Sequence, residues 1–229
     1  MRRREVVALI SGAAVWPLPA HSQQLAGIHR SASTPMACAL SGWEIGPVIN
    51  GRQYSVGMPT CPTPDGEGFW FDFRVFDRAT ANTMPSREIP SVHYVTRPGK
   101  VMPGGTMRAT FEVSGGPFWA TEVPDETPAK VRLFFQRSGD DWAGSPGRTE
   151  FYRWWGALAD LVPGRSTLEA QLVPENWGSV MGKPGAGNPA AFHEAVANVA
   201  RIGLTFGGGY AGHGVYAVAP ARFRLISLA

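Results

Sequence analysis

The residues best suited to chemistry fall in the middle of the chain. In Val131-Arg132-Leu133-Phe134-Phe135-Gln136, the residues Val131, Leu133 and Phe135 alternate with Arg132, Phe134 and Gln136. A period of two places alternate residues on opposite faces of a strand. Further on, Glu150, Tyr152 and Trp154 alternate with Phe151, Arg153 and Trp155, and Thr167, Glu169 and Gln171 with Leu168, Ala170 and Leu172. On adjacent strands these polar rows would form a plate carrying Arg132, Gln136, Glu150, Tyr152 and Trp154. Such a plate suits a sugar, whose C–H faces lie on aromatic rings while amide, carboxylate and guanidinium groups bond its hydroxyls. The same rows also fit ordinary outer faces with aromatics in cross-strand pairs.

A second group sits in the loop Gly207-Gly208-Gly209-Tyr210-Ala211-Gly212-His213-Gly214. It runs from one strand signal to another and lacks Gly-Lys-Ser/Thr, so it does not read as a phosphate loop. Its glycines permit positive φ or close backbone approach. His213, between two glycines, is poorly covered by its neighbours and is the histidine best placed to meet a ligand; a structural or solvent-bonded histidine fits the same sequence. Asp140-Asp141-Trp142 could hold a structural calcium through its carboxylates. The alternating-Asp spacing of a calcium loop is missing, however, and turn chemistry accounts for the run.

Enzymatic signatures are sparse. There is no G-x-S-x-G, no H-E-x-x-H and no Cys/His nucleophile arrangement. His93 and His193 lack metal-ligand spacing, so no metal or other cofactor is expected. A carboxylate pair for glycosidic cleavage could come from Glu150, Glu169, Glu175, Asp140 and Asp141, provided two of them stand about 5–10 Å apart.

The elements that must position these residues read as short strands. Candidates are Trp43–Ile49, Gln53–Gly57, Phe69–Val75, Ser91–Thr96, Thr106–Val113, Lys130–Arg137, Thr149–Trp155, Ser166–Val173, Arg201–Phe206, Gly214–Val218 and Ala221–Leu228, with 59–68 and 77–90 as loops. In the clearest alternation, Met107, Ala109, Phe111 and Val113 share one face and Thr106, Arg108, Thr110 and Glu112 the other. One short helix is expected near 189–199: Asn188 can cap it, Pro189 suits its first position, and Phe192, Val196 and Val199 share a face. The chain has 28 Gly, 20 Pro, 8 Trp and 12 Phe with only 17% charged residues, which suits strands joined by tight turns. The fold class is therefore all-β, a jelly-roll β-sandwich of two antiparallel sheets, with the alternating last strand placing the end of the chain inside a sheet.

The succession VRLFFQRSGDDW, TEFYRWW, LEAQLVPENW, a short helix and the closing IGLTFGGGYAGHGVYAVAPARFRLISL resembles jelly-roll domains of the galactose-binding kind, which include carbohydrate-binding modules. The resemblance spans most of 43–229 as a strand pattern without a diagnostic motif. It implies a noncatalytic module with a saccharide or glycan ligand. Two other readings stand beside it. One is a polysaccharide-degrading enzyme, hydrolase or lyase, on the same fold, with Glu150 and His213 to test. The other is a structural or assembly protein of the periplasm or cell surface, suggested by sparse charge and many aromatics.

The N-terminus supplies the compartment. Arg2, Arg3 and Arg4 precede an apolar run from Val6 to Val15, then Pro17, Pro19 and Ala20-His21-Ser22. This is the layout of a cleavable export signal over 1–22, cut between Ser22 and Gln23, and Arg3-Arg4 also resembles the twin-arginine type. Residues 23–42 read as a flexible spacer and 43–229 as a single domain. The signal holds three of the 21 Lys and Arg and one of the 18 Asp and Glu, so the remainder carries a net charge of +1 against +3 for the chain. That balance gives no reason to expect a nucleic-acid partner. No later run reaches a transmembrane length. After export into an oxidising compartment, Cys38 and Cys61, the only cysteines, most simply pair as a disulfide.

Overall fold

The strands Thr106–Gly115, Gly164–Gln171 and Ala221–Leu228 bury alternate residues, and the sheet they build closes on a second sheet whose central strand Val199–Gly207 is covered on both faces. The computed structural model describes Cys38 and residues 42–122, 128–209 and 212–229, all within the unit Thr34–Ala229. The export segment 1–22 lies outside the described residues, as does most of the spacer. One antiparallel sheet runs β1 (Glu44–Gly46), β6 (Tyr94–Pro98), β13 (Val199–Gly207), β9 (Lys130–Arg137), β10 (Arg153–Asp160) and β12 (Gly178–Ser179). The other runs β11 (Gly164–Gln171), β7 (Thr106–Gly115), β15 (Ala221–Leu228), β5 (Gly68–Asp72) and β4 (Thr63–Asp65). Two small ribbons complete the strands, β2 (Val48–Ile49) with β3 (Arg52–Gln53), and β8 (Phe118–Ala120) with β14 (Val215–Ala217).

The all-β sandwich expected from the strand pattern is the observed fold. In β7, Met107, Ala109, Phe111 and Val113 are buried as their alternation predicts. Phe71 and Phe223 of the five-stranded sheet meet Phe206 of the six-stranded sheet edge-on, with centroids 5.8 and 5.3 Å apart, a favoured aromatic geometry. The last strand lies between β7 and β5, so the end of the chain is inside a sheet.

The short helix expected near 189–199 is α2 (Pro189–Ala197). Its Phe192 packs on Phe135, Trp154 and Trp177. Val199 begins β13 instead of ending the helix, and the Asn188 side chain donates to the Pro184 carbonyl rather than capping it. The stretch 77–90, expected as loop, holds a one-turn helix, α1 (Arg78–Ala81), capped by Asp77, whose Oδ2 accepts from the Thr80 amide at 2.8 Å. Cys38 and Cys61 are joined in a disulfide. Closing a loop of that length removes unfolded-chain entropy worth about 3 kcal/mol.

The largest departure lies in the candidate strand Thr149–Trp155. Residues 149–152 form a turn, and the strand starts at Arg153 and runs to Asp160. Its phase is opposite to that expected. Trp154 faces Phe135 in the core and is fully buried, while Arg153 pairs with Gln136, and Trp155 with Phe134, on the outer side. Trp154 tolerates burial because its indole N–H donates to the Phe151 carbonyl at 2.7 Å.

Candidate functional site

The outer face of the six-stranded sheet carries the richest chemistry. Strand register brings Tyr94 of β6, Thr205 of β13, Arg132, Phe134 and Gln136 of β9, and Arg153 and Trp155 of β10 to this one side. Over them folds the turn that follows β9. Its Gly139 and Trp142 both adopt positive φ, 82° and 65°. For a bulky residue this conformation costs about 1–3 kcal/mol and persists only where surroundings hold it. Here they do: Asp140 Oδ1 accepts from the Trp142 amide at 3.2 Å, and Arg153 Nη2 donates to the Trp142 carbonyl at 2.8 Å. The Trp142 ring lies parallel to Phe134 at 6.3 Å and edge-on to Tyr94 at 5.1 Å.

Asp140 and Arg153 form the ionic centre of the arrangement. Their side chains are 0% and 7% exposed and stand 2.9 Å apart, from Nε to Oδ2, in an ion contact off the direction of a hydrogen bond. Gln136 Nε2 donates to the same carboxylate at 2.7 Å. Burial raises the Asp140 pKa, with the Arg153 charge and the Gln136 bond acting against it. Two further interactions at Asp140 and Arg153, to the Trp142 backbone, leave the guanidinium fixed in orientation. Tyr94 is buried beside them, and desolvation lifts its pKa above the usual phenol value.

The glycine-rich loop arrives from the other side. His93 Nδ1 lies 2.8 Å from the Gly212 carbonyl and Nε2 lies 3.1 Å from Ser91 Oγ. Burial pushes the His93 pKa down to about 4, so the ring is neutral at pH 7 and Nδ1–H donates to Gly212. A Cβ at Gly212 would overlap the Tyr94 hydroxyl, and one at Gly214 would crowd His93 and Ser91. Only glycine allows the backbone so close. His213, between them, contacts the Glu122 carboxylate through Nδ1. Its pKa is lowered, chiefly by burial, while Glu122 pulls the other way.

These groups surround a cleft of about 240 Å³, lined by Tyr94, Trp142 and Arg153, by His93 and His213, and at its mouth by Arg52, Tyr54 and Arg87. Hydrogen-bond donors, guanidinium groups and part-exposed rings converge on a space that admits a single ring-sized group, below the range of about 300–1,000 Å³ typical of drug-sized pockets.

Of the residues anticipated from sequence, His213 lines this cleft and Gln136 lies beneath it, bonded to Asp140. The others are elsewhere. Arg132 is on the same sheet face but donates to the Gly209 carbonyl at 3.0 Å, bracing the loop. Glu150 and Tyr152 lie in the turn before β10 and line a separate recess with Arg137 and Glu194; Tyr152 stacks under Arg137 and Glu150 accepts from the Gly147 amide. Trp154 is in the core and presents nothing to solvent. The third row, Thr167, Glu169 and Gln171, belongs to β11 in the opposite sheet. A plate joining all three rows therefore does not form.

The Asp140 carboxylate is occupied by Gln136, Arg153 and the Trp142 amide, and Asp141 accepts from the Ala143 amide at 2.9 Å. Among the described residues no three His, Cys, Asp or Glu side chains are grouped to hold a metal. Glu150 and His213, paired in the enzymatic reading, do not share a cleft. Sequence reasoning missed Arg153, Trp142, Tyr94 and His93. The usable signal was the double aspartate after β9, since a carboxylate destined for burial calls for a cationic partner. Comparison with protein families, curated proteins and solved structures finds no match to this chain.

Proposed function

We propose that this is an exported, saccharide-binding β-sandwich protein whose ligand seats in the cleft between Trp142, Arg153 and His213. The observation that carries this reading is the convergence in one small cleft of two part-exposed rings, Tyr54 and Trp142, with the fixed donors of Arg153 and the imidazoles of His93 and His213. Sugars are held by this division of labour, ring faces against C–H surfaces and planar donors on hydroxyls. The sandwich fold agrees with the resemblance to galactose-binding-like modules, though fold alone carries no function. Export is supported by the signal-like N-terminus and by the Cys38–Cys61 disulfide, a bond that persists in oxidising compartments. Among the described residues no helix is long and apolar enough to cross a membrane.

Calorimetric titration across a broad saccharide panel tests the reading. A ligand should be found, and Trp142→Ala should weaken it about tenfold or more, as removal of a central aromatic anchor does. A panel without any binder overturns the proposal.

One observation favours a catalytic variant of it. His213 is held toward its neutral form with Nδ1 on Glu122, which leaves Nε2 to accept a proton, the arrangement of an oriented general base. Release of products from polysaccharides, abolished in His213→Ala, would establish it; intact polymer after prolonged incubation would reject it.

A further inference from the structure

We infer that the saccharide this cleft selects carries an anionic group, a carboxylate or a sulfate; the inference rests on the saccharide-binding reading above. Among the described residues that line the cleft none is acidic, whereas the guanidinium groups of Arg52, Arg87 and Arg153 all line it. The acids nearby are spent on other groups. Asp140 stands behind Arg153 with no exposed side-chain surface, and Glu122 stands against His213.

The three guanidinium groups differ in what they offer. Arg153 is anchored at Nε by Asp140, which balances its charge, and at Nη2 by the Trp142 carbonyl, so it offers a rigid guanidinium at the cleft wall while the unbalanced charge comes from the mouth. Arg52 at the mouth is exposed; its Nη2 reaches the Arg87 carbonyl at 3.4 Å and its guanidinium lies 5.7 Å from the Tyr54 ring. Among the described residues no carboxylate pairs with it. Arg87 meets Glu88 at 3.8 Å with side chains 70% and 51% exposed, a solvent-screened contact that a ligand displaces at little cost. Two fixed or tethered guanidiniums beside an uncharged ring slot match an anionic sugar better than a neutral one. Arginine forks bind carboxylate and sulfate-like oxygens bidentately, and an acid-free wall adds no repulsion.

The full chain is titrated calorimetrically with an oligogalacturonate, with the same oligomer after reduction of its carboxyls to alcohols, and with a sulfated neutral oligosaccharide. The expected result is binding of at least one anionic oligomer about tenfold more tightly than the reduced one, with the preference shrinking several-fold as salt rises and screens the charges. Preference for the uronate over the sulfated oligomer assigns carboxylate as the source of the anion, and the reverse assigns sulfate. Arg52→Gln, an exposed change that leaves the fold intact, should cut the anionic-to-neutral preference about three- to tenfold. Equal affinity for the reduced and anionic oligomers overturns the inference while the saccharide reading stands. An unchanged preference in Arg52→Gln also overturns it. No binding of any oligosaccharide overturns both.

Discussion

His93 and His213 lie close enough to influence each other, yet the fold treats them differently. His93 is buried and held near pKa 4, while its ordinary value is 6.5. The unfolded chain therefore binds a proton that the native state refuses, and stability is fully present above about pH 6.5 and lost as pH falls toward 4. The shift corresponds to about 3 kcal/mol at most. Denaturant midpoints measured between pH 7.5 and 4 should fall accordingly, and His93→Gln should flatten that slope; a slope unchanged in the variant would contradict the buried, neutral assignment. At this scale His213 was legible because glycines flank it. His93 was not, because the partner that fixes its tautomer, the Gly212 carbonyl, lies 119 residues away in sequence. Trp142 read as a turn residue, and so it is, but positive φ at a tryptophan comes from the Asp140 and Arg153 bonds that tertiary structure supplies.

At the scale of elements, one strand decides which residues reach the cleft. Alternation in β9 was read in the correct phase, since Val131, Leu133 and Phe135 are buried and Gln136 comes to the outer face. In β10 the aromatic-rich run Phe151 to Trp155 gives either phase a plausible apolar side, and a one-residue slip exchanges the faces. Packing of Trp154 against Phe151, Phe192 and Phe135 settles it. Trp154→Ala should then cost about 3–5 kcal/mol in urea unfolding, the range for deleting a buried aromatic, whereas Trp155→Ala on the outer side should cost clearly less. Equal losses would contradict the observed phase. The loop after β13 was legible as a place of close backbone approach, and the groups approached, Tyr94 and His93, are contributed by β6 and the residue before it.

At the scale of the whole molecule, composition and alternation were sufficient for an all-β sandwich, because apolar periodicity of two and turn-forming glycine and proline are local properties. Which sheet each strand joins is not local. β11 reads like β9 and β10 but pairs with β7 across the sandwich, so its polar row is on the opposite face from the cleft. The candidate site is therefore smaller than the plate expected from sequence and lies on one face of the six-stranded sheet, where residues from the β2–β3 ribbon, β6, β10, the turn after β9 and the glycine-rich loop meet. Amide chemical shifts recorded while the saccharide found in the panel is added test this placement most directly. The largest shifts are expected at Arg52 to Tyr54, His93 and Tyr94, Asp140 to Trp142, and Gly212 and His213. Shifts centred instead on Glu150 and Tyr152, or on the Arg222 and Arg224 face of the other sheet, would contradict it.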